Sequence, residues 1–477
     1  MRKTKIVCTL GPSVDSPETM KNLMLAGMNV ARFNFSHGDY QEQGKRIKIF
    51  KEAREELKLP IPMLLDTKGP EIRIGKFAKK IVELVEGNYF TLINEDILGD
   101  STKVSINYKE LYKDLSIGSK ILINDGLIEL EVIEFIDKDI KCKILNGGEL
   151  SNTKSVNVPN LVLHLPSITE KDISDVKFGV EQNFDYIAAS FVRKPEDILA
   201  IKDILEQNNG SHIKVIAKIE NREGIDNFKE ILKVADGIMV ARGDLGVEIP
   251  IEEVPIVQKR FIKQTYRAGK PVITATQMLE SMIKNPRPTR AEVSDIANAI
   301  SDGSSAIMLS GETAMGNYPI ECVKTMAKVA SSIENSLSYW KRFERRDYNM
   351  DELSAEFIIN HSICTTSMNL NAKAIFAFTQ VGDTPKNLAS FSPSCPIFAI
   401  TQSEDIYKQM GLVWGVYPML FTKANSIEEL LQMGIDQAIK LSFISKGDTI
   451  IISGGPNAIS SSDSSGLNRM LGGVLEI

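Results

Sequence analysis

The stretch "KVIAKIENREG" (214–224) decides how the rest of the chain is read. It opens on an apolar run, Val215, Ile216 and Ala217, then places Lys218 and Glu220 two residues apart before a polar, glycine-containing end. Residues i and i+2 of a strand point to the same side. A cation and an anion therefore leave one strand together at its C-terminal end. The same order of apolar run, polar or glycine end and helical stretch recurs in "KIVCTLGPS" (5–13), "NVARFNFSHG" (29–38), "PMLLDTKGPEIR" (62–73) and "DYIAASFVRK" (185–194). It recurs again in "GIMVARGDLG" (237–246), "PVITATQML" (271–279) and "AIMLSGETA" (306–314). Helix-like segments such as "PETMKNLMLAGM" (17–28) and "EKDISDVKFGVEQN" (170–183) lie between most of them. Eight apolar strands alternating with helices predict a (β/α)8 barrel, a fold whose active sites sit at the C-terminal strand ends.

Residues 1–70 and 168–342 carry this pattern, and residues 71–167 interrupt it. The interruption contains "KIVELVEG", "KVSINY" and "KILINDGLIELEVIEFIDKDIKCKIL". Alternation, β-branched residues and an Asp125-Gly126 turn predict an all-β insert, hung on a barrel loop as a lid. From 343 to 477 the pattern changes again. A polar helix and connector, "SLSYWKRFERRDYNMDE", precedes strands at 372–379, 396–401, 415–421 and 448–455 with helices between. This predicts a C-terminal α/β domain with a mostly parallel sheet. The tail segment "SSSDSSG" (460–466) reads as a loop.

The chain has 477 residues, 43% hydrophobic and 25% charged, with a net charge of -6. That balance excludes a general nucleic-acid or anionic-membrane binder while leaving room for local anion sites. Cys8, Cys142, Cys322, Cys364 and Cys395 are scattered, with no CxxC pair. They point to free thiols in a reducing compartment, not to a disulfide frame or a zinc site. No apolar run is long enough to span a membrane, and the N-terminus is a poor secretion signal. The expectation is a cytoplasmic, multidomain protein.

Strand-end positions collect Arg32, Asn34, Ser36, Asp66, Thr67, Arg73, Lys218, Glu220, Asp244, Thr276 and Ser310. Glu220 and Asp244 offer hard oxygen donors from neighbouring strands, and Mg²⁺ commonly takes one or two carboxylates plus substrate oxygens. Taken singly, each also fits a solvated loop or an ion pair. Lys218 has two chemical readings beside the structural one. As a neutral amine it forms a Schiff base with a carbonyl substrate; as an ammonium it meets a developing oxyanion or a transferring phosphoryl group. Glu220 favours the charged form. "VARGDLGVE" (240–248) sets glycines around Asp244, where exposed N–H groups can receive a carboxylate or phosphate. Asn34, Ser36, Asp66 and Thr67 supply oxygens for a monovalent cation, or for a hydrogen-bonded polar core. His37 is the only one of the four histidines near this mouth, which argues against a histidine triad or a zinc site. There is no Walker loop and no kinase-type glycine loop.

The run "ATQMLESMIKNPRPTRAEVSDIANAISDGSSAIMLSGETAMGNYP" (275–319) resembles the pyruvate kinases over its whole length. "KIVCTLGPS", "ARFNFSHG", "LDTKGPEIR", "SFVRK", "AKIEN" and "VARGDLGVEIP" follow in the family's order, densely over 1–345 and loosely beyond. The resemblance implies transfer of a phosphoryl group from phosphoenolpyruvate to ADP, giving pyruvate and ATP, in the last step of glycolysis. It implies Mg²⁺ (or Mn²⁺) on Glu220 and Asp244, and K⁺ on Asn34, Ser36, Asp66 and Thr67, with Glu71 accompanying potassium dependence. It implies that Lys218 neutralises the phosphoryl group and the enolate oxygen, and that Arg32 grips the phosphoryl group. Gly243, Asp244 and Thr276 would receive the substrate carboxylate, with Thr276 near the proton-delivery route and Ser310 in support. Pro12, His37 and Arg73 match nucleotide contacts, and Asp125 and Lys154 match lid groups that reach the phosphates. A homotetramer is implied, with "NPRPTRAE" (285–292) where subunits meet.

Three departures stand out. Ile74 replaces a usual threonine beside Glu71, which bears on the strictness of potassium dependence. Ser305 replaces a usual aspartate. In the segment 379–395, Asp383 stands near where a basic residue is common and Pro385 replaces a small residue. A carboxylate repels phosphate, which speaks against activation by fructose 1,6-bisphosphate even though Thr379 and Thr384 remain as donors. Two other classes stay in view: a barrel lyase or aldolase using Lys218 as a Schiff base, and a non-catalytic homologue that has kept the fold.

Overall fold

A computed structural model describes residues 1–159, 161, 163–344, 354–424, 426–454 and 471–477. All eight apolar runs are strands: β1 (Lys5–Thr9), β2 (Val30–Asn34), β3 (Met63–Asp66), β4 (Tyr186–Ala189), β5 (Lys214–Ile219), β6 (Gly237–Ala241), β7 (Val272–Ala275) and β8 (Ala306–Leu309). They form a closed barrel in sequential order, parallel at every pairing, and Lys5 facing Ala306 closes β1 on β8. Strands covered on both faces read as continuous apolar runs, and nearly every residue of these eight is buried. Val7, Val30, Leu64, Tyr186, Ile216, Met239, Ile273 and Met308 pack as the barrel's inner core, while their neighbours along each strand meet the surrounding helices.

Two of the helices around the barrel begin at caps that the sequence supplies. Thr169 and Asp172 form a reciprocal capping box on Glu170–Glu181, and Thr289 and Glu292 do the same on Arg290–Asp302. Such boxes satisfy backbone donors that the first helical turn leaves unpaired. The Asp172 carboxylate also accepts from the Gly69 N–H at 2.9 Å, tying a helix start to the loop after β3.

The insert is built on a six-stranded sheet and a separate pair. Lys120–Ile123 and Ile128–Ile136 form the expected hairpin, and Asp125 (φ 56°) and Gly126 (φ 83°) occupy its turn in the left-handed region. That is the backbone a tight hairpin turn needs. The insert is not purely β, since Leu111–Asp114 is a short helix, and one of its strand pairs, Tyr89–Ile93 with Lys103–Ser105, is parallel. The insert has its own apolar core, including Phe90, Leu92, Ile121, Leu130, Val132 and Ile144.

The C-terminal sheet is parallel through Val416–Leu420, Ile397–Thr401, Ala374–Phe378 and Thr449–Gly454. A fifth strand, Leu471–Glu476, adds antiparallel at the edge and was not expected from the sequence. This domain covers the base of the barrel: Leu412 joins the inner core and the Tyr186 hydroxyl donates to the Gln409 carbonyl at 2.7 Å. The five cysteines are buried and free. Among the described residues no helix is long and apolar enough to cross a membrane. Tyr339–Glu344 is helical; the expected connector from 345 to 352, and the loop expected at 460–466, lie outside the described residues.

Candidate active site at the barrel mouth

Four side chains from three strands form a row of alternating charge at the C-terminal end of the barrel. Arg32 Nε stands 2.6 Å from Asp66 Oδ2, Asp66 Oδ1 stands 3.0 Å from Lys218 Nζ, and Lys218 Nζ stands 3.0 Å from Glu220 Oε1. All four are buried. The row follows from strand register, because Asn34 on β2 faces Asp66 on β3, and β4 separates β3 from β5.

Burial alone would neutralise Lys218, but the carboxylates of Asp66 and Glu220 outweigh it and hold the ammonium well above lysine's usual range. Burial likewise opposes the Asp66 charge, and Arg32 with Lys218 more than reverses that, so its carboxyl lies below its ordinary range. Glu220 behaves differently. Burial pushes it up to about 7, with Lys218 opposing and Asp244 reinforcing the rise. Asp244 is also raised, by burial first and then by Asp125 and Glu71 of the insert.

Glu220 and Asp244 are thus two carboxylates whose ionisation burial opposes more than Lys218 favours it, a donor set that suits a hard divalent cation. Among the described residues no group of three or more histidine, cysteine or acidic side chains could hold a metal by itself. A two-carboxylate site, completed by substrate oxygens, agrees with how Mg²⁺ is usually bound.

Thr276 follows β7 with φ 70°, and Gln277 follows it with φ 53°. A β-branched residue in the left-handed region is strained, and such strain persists only where its surroundings impose it. Here Arg242 imposes it: its Nη2 donates to the Thr276 carbonyl at 2.5 Å, its Nε to the Ala275 carbonyl at 3.2 Å, and its Nη1 is fixed by Asp295 at 2.6 Å. The Thr276 hydroxyl in turn accepts from the Gly243 N–H at 2.8 Å, at the start of the helix Arg242–Glu248 that also carries Asp244. Ser310 ends β8. No hydrogen bond joins it to Thr276 among the described residues; its N–H donates to Glu312 Oε2 at 2.7 Å.

Asn34, Ser36, Asp66 and Thr67 lie on adjoining strand ends. Asn34 Oδ1 accepts from the Ser36 N–H at 3.1 Å, and the Phe35 N–H reaches the Asp66 carbonyl at 3.0 Å. The Thr67 hydroxyl turns to the Ala188 carbonyl at 3.4 Å, which leaves its carbonyl facing the mouth's hydrogen-bond network. The nucleotide candidates are more dispersed. Asp125 lines, with Glu71, Asn157, Asp244 and Glu248, a cleft between the insert and the barrel. Arg73 pairs with Glu71 at 2.7 Å and with the Thr153 carbonyl at 2.7 Å, and Ile74 N–H reaches the Lys154 carbonyl at 3.0 Å. Pro12 and His37 are exposed residues outside the lining of that cleft. Asn157 Nδ2 donates to Glu248 Oε1 at 2.7 Å, a direct tie from insert to barrel. Away from the mouth, Asp383 opens the helix Asp383–Ser390 and lies 3.6 Å from Lys386, with Pro385 buried in its first turn. The Thr379 hydroxyl accepts from the Gly382 N–H at 2.7 Å.

Sequence reasoning passed over four residues that the site uses. The Thr9 hydroxyl accepts from Arg32 Nη1 at 2.8 Å and Ser190 accepts from Lys218 at 2.6 Å. Glu312, fully buried, joins the Leu279 N–H to the Ser310 N–H, and Arg242 clamps the Thr276 turn. All four had one available signal: each stands at or just beyond the end of a barrel strand.

The sequence profile of the pyruvate kinase barrel domain matches residues 1–323, and that of the pyruvate kinase alpha/beta domain matches residues 358–465. The chain is 48% identical over 456 residues to a pyruvate kinase of Clostridium acetobutylicum, covering 95% of this chain and 96% of that one. It is 49% identical over 457 residues to one from Geobacillus stearothermophilus and 50% identical over 457 residues to one from Staphylococcus aureus strain USA300. Each of those alignments covers 95% of this chain and 78% of the relative. With a closed parallel barrel, a buried row of charge at its mouth and these matches along nearly its full length, the chain belongs to the pyruvate kinase family of phosphotransferases.

Proposed function

We propose that this protein transfers the phosphoryl group of phosphoenolpyruvate to ADP, forming pyruvate and ATP as the last step of glycolysis, with Mg²⁺ and K⁺. The observation that carries this reading is the buried row Arg32–Asp66–Lys218–Glu220, which holds two cations side by side at the barrel mouth. Phosphoryl transfer asks a protein for positioning and charge neutralisation more than for covalent work. Arg32 and Lys218 do both for the phosphoryl oxygens, and Lys218 then faces the enolate oxygen left behind. An ammonium stabilised by two carboxylates is a poor nucleophile, so the Schiff-base alternative has no support at this site.

Glu220 and Asp244 would hold the divalent ion, which supplies further neutralisation of phosphate charge. Gly243 and Asp244 open a helix toward the substrate carboxylate, and Thr276 offers the hydroxyl for the proton route to the enolate, with Ser310 held by Glu312 behind it. Asn34, Ser36, Asp66 and Thr67 would hold K⁺. Pro12, His37, Arg73, Asp125 and Lys154 are the proposed nucleotide contacts, and closure of the insert would exclude water from the phosphoryl group. A cytoplasmic homotetramer is the proposed working form.

The test is pyruvate formation from phosphoenolpyruvate and ADP with Mg²⁺, measured with and without K⁺. Turnover that rises with K⁺ is expected. A folded chain that makes no pyruvate under these conditions overturns the reading.

A further inference from the structure

An ammonium has three N–H donors, and those of Lys218 are all taken. Asp66 Oδ1 accepts at 3.0 Å, Glu220 Oε1 at 3.0 Å and Ser190 Oγ at 2.6 Å. A substrate oxygen can meet Lys218 only when one of these partners lets go. Asp66 cannot leave without also loosening Arg32, which it holds at 2.6 Å. Glu220 has a second use, since it is a proposed ligand of the divalent ion, which would draw its carboxylate away from the lysine. Ser190 is left as the neutral partner that can stay throughout.

Its geometry suits that task. Ser190 directly follows β4 and is buried. Its single hydroxyl proton faces the Thr67 carbonyl at 2.6 Å, with Asp66 Oδ1 farther off at 3.3 Å, and on either acceptor the oxygen is left to accept from Lys218 at 2.6 Å. Its N–H donates to the Thr67 hydroxyl at 3.2 Å, which fixes the backbone as well. Gly69, at φ 70°, packs so closely over it that a Cβ there would lie 2.9 Å from the Ser190 Cβ.

We propose that Ser190 is a positioning residue: its hydroxyl keeps Lys218 aimed into the mouth once Glu220 releases it, and at the same time fixes the Thr67 carbonyl among the oxygens that would hold K⁺. This rests on the role given to Lys218 above. It ties the monovalent-ion donors to the reacting lysine through one hydroxyl, with Thr67 on one side and the ammonium on the other.

The experiment compares the wild-type chain with Ser190→Ala and Ser190→Thr. Ser190→Ala is expected to lower kcat roughly 10–100-fold, the usual cost of removing an orienting partner, with KM for phosphoenolpyruvate little changed. It is also expected to shrink the rise in melting temperature that K⁺ produces without substrates. Ser190→Thr, which keeps the hydroxyl, should recover most of both. Wild-type kcat and an undiminished K⁺ shift in Ser190→Ala overturn the proposal, as does an equal loss of rate in Ser190→Thr with an unshifted melting temperature. A wild-type chain that forms no pyruvate instead removes the reading of Lys218 on which the proposal stands.

Discussion

Two buried lysines sit at opposite ends of one barrel, and their chemistry runs in opposite directions. At the mouth, Lys218 touches two carboxylates and is held charged. At the base, Lys5 donates to the Val416 carbonyl at 2.6 Å and lies 4.8 Å from the centre of the Tyr417 ring. Burial, helped by Arg2 and opposed by Glu334, pushes Lys5 down to about 7. Burial penalises both ammonium groups alike; what differs is whether a carboxylate stands within contact. The base cluster serves the fold. Gly415 N–H reaches the Lys3 carbonyl at 3.0 Å and the Tyr417 hydroxyl reaches the Arg2 carbonyl at 2.5 Å, so the start of β1 fastens the C-terminal domain to the barrel. The mouth cluster keeps two cations charged at the strand ends, where the proposed phosphoryl group would meet them.

That contrast can be broken at either end. After loss of Lys218 itself, the largest effect is expected at Asp66, the carboxylate that Arg32 and Lys218 share. Asp66→Asn should cut turnover by roughly 10²–10³-fold, the scale of removing one preorganised electrostatic group. It should also lower the melting temperature, because it leaves two buried cations under-compensated. A rate within error of wild type would show that the row of charge is structural only.

At the base, the expected effect is on stability and its pH dependence. The folded value for Lys5 lies near 7 against an ordinary 10.5, so between those values the unfolded chain binds a proton that the folded chain does not. Stability should then rise with pH across that window, because the unfolded state holds more protons there. Lys5→Met should flatten this rise in urea melts taken from pH 7 to pH 10. An unchanged slope in the variant would assign the effect to another group.

The smallest effect is expected where the insert meets the barrel. Asn157→Ala removes one hydrogen bond to Glu248, a loss of about 0.5–1.5 kcal/mol. KM for ADP should rise a few-fold with kcat kept. An equal fall in kcat would place Asn157 in the chemical step and not in closure.

How much of this was legible depends on the kind of signal. The barrel strands are readable because strands buried on both faces leave unbroken apolar runs, as in "VIAKI". The charged row is readable because Arg32, Asp66, Lys218 and Glu220 break those runs at the same end. Ser190 and Thr9 are not, since hydroxyl residues at strand ends serve turns as often as sites, and only coordinates show that theirs face a lysine and an arginine. The edge strand Leu471–Glu476 is hidden by Gly472 and Gly473, which carry no alternation. The parallel pair inside the insert is hidden because a strand's pattern reports its faces and not its partner's direction.

If a charged Lys218, and not burial of a lysine as such, drives phosphoryl transfer, the two lysines must answer differently to the same substitution. The most direct test sets Lys218→Met beside Lys5→Met in one assay of pyruvate formation, with circular dichroism to confirm folding. Lys218→Met is expected to lose turnover by roughly three orders of magnitude or more while staying folded, at the upper end of what one electrostatic group contributes. Lys5→Met is expected to turn over like the wild type. Normal turnover in folded Lys218→Met would contradict the account.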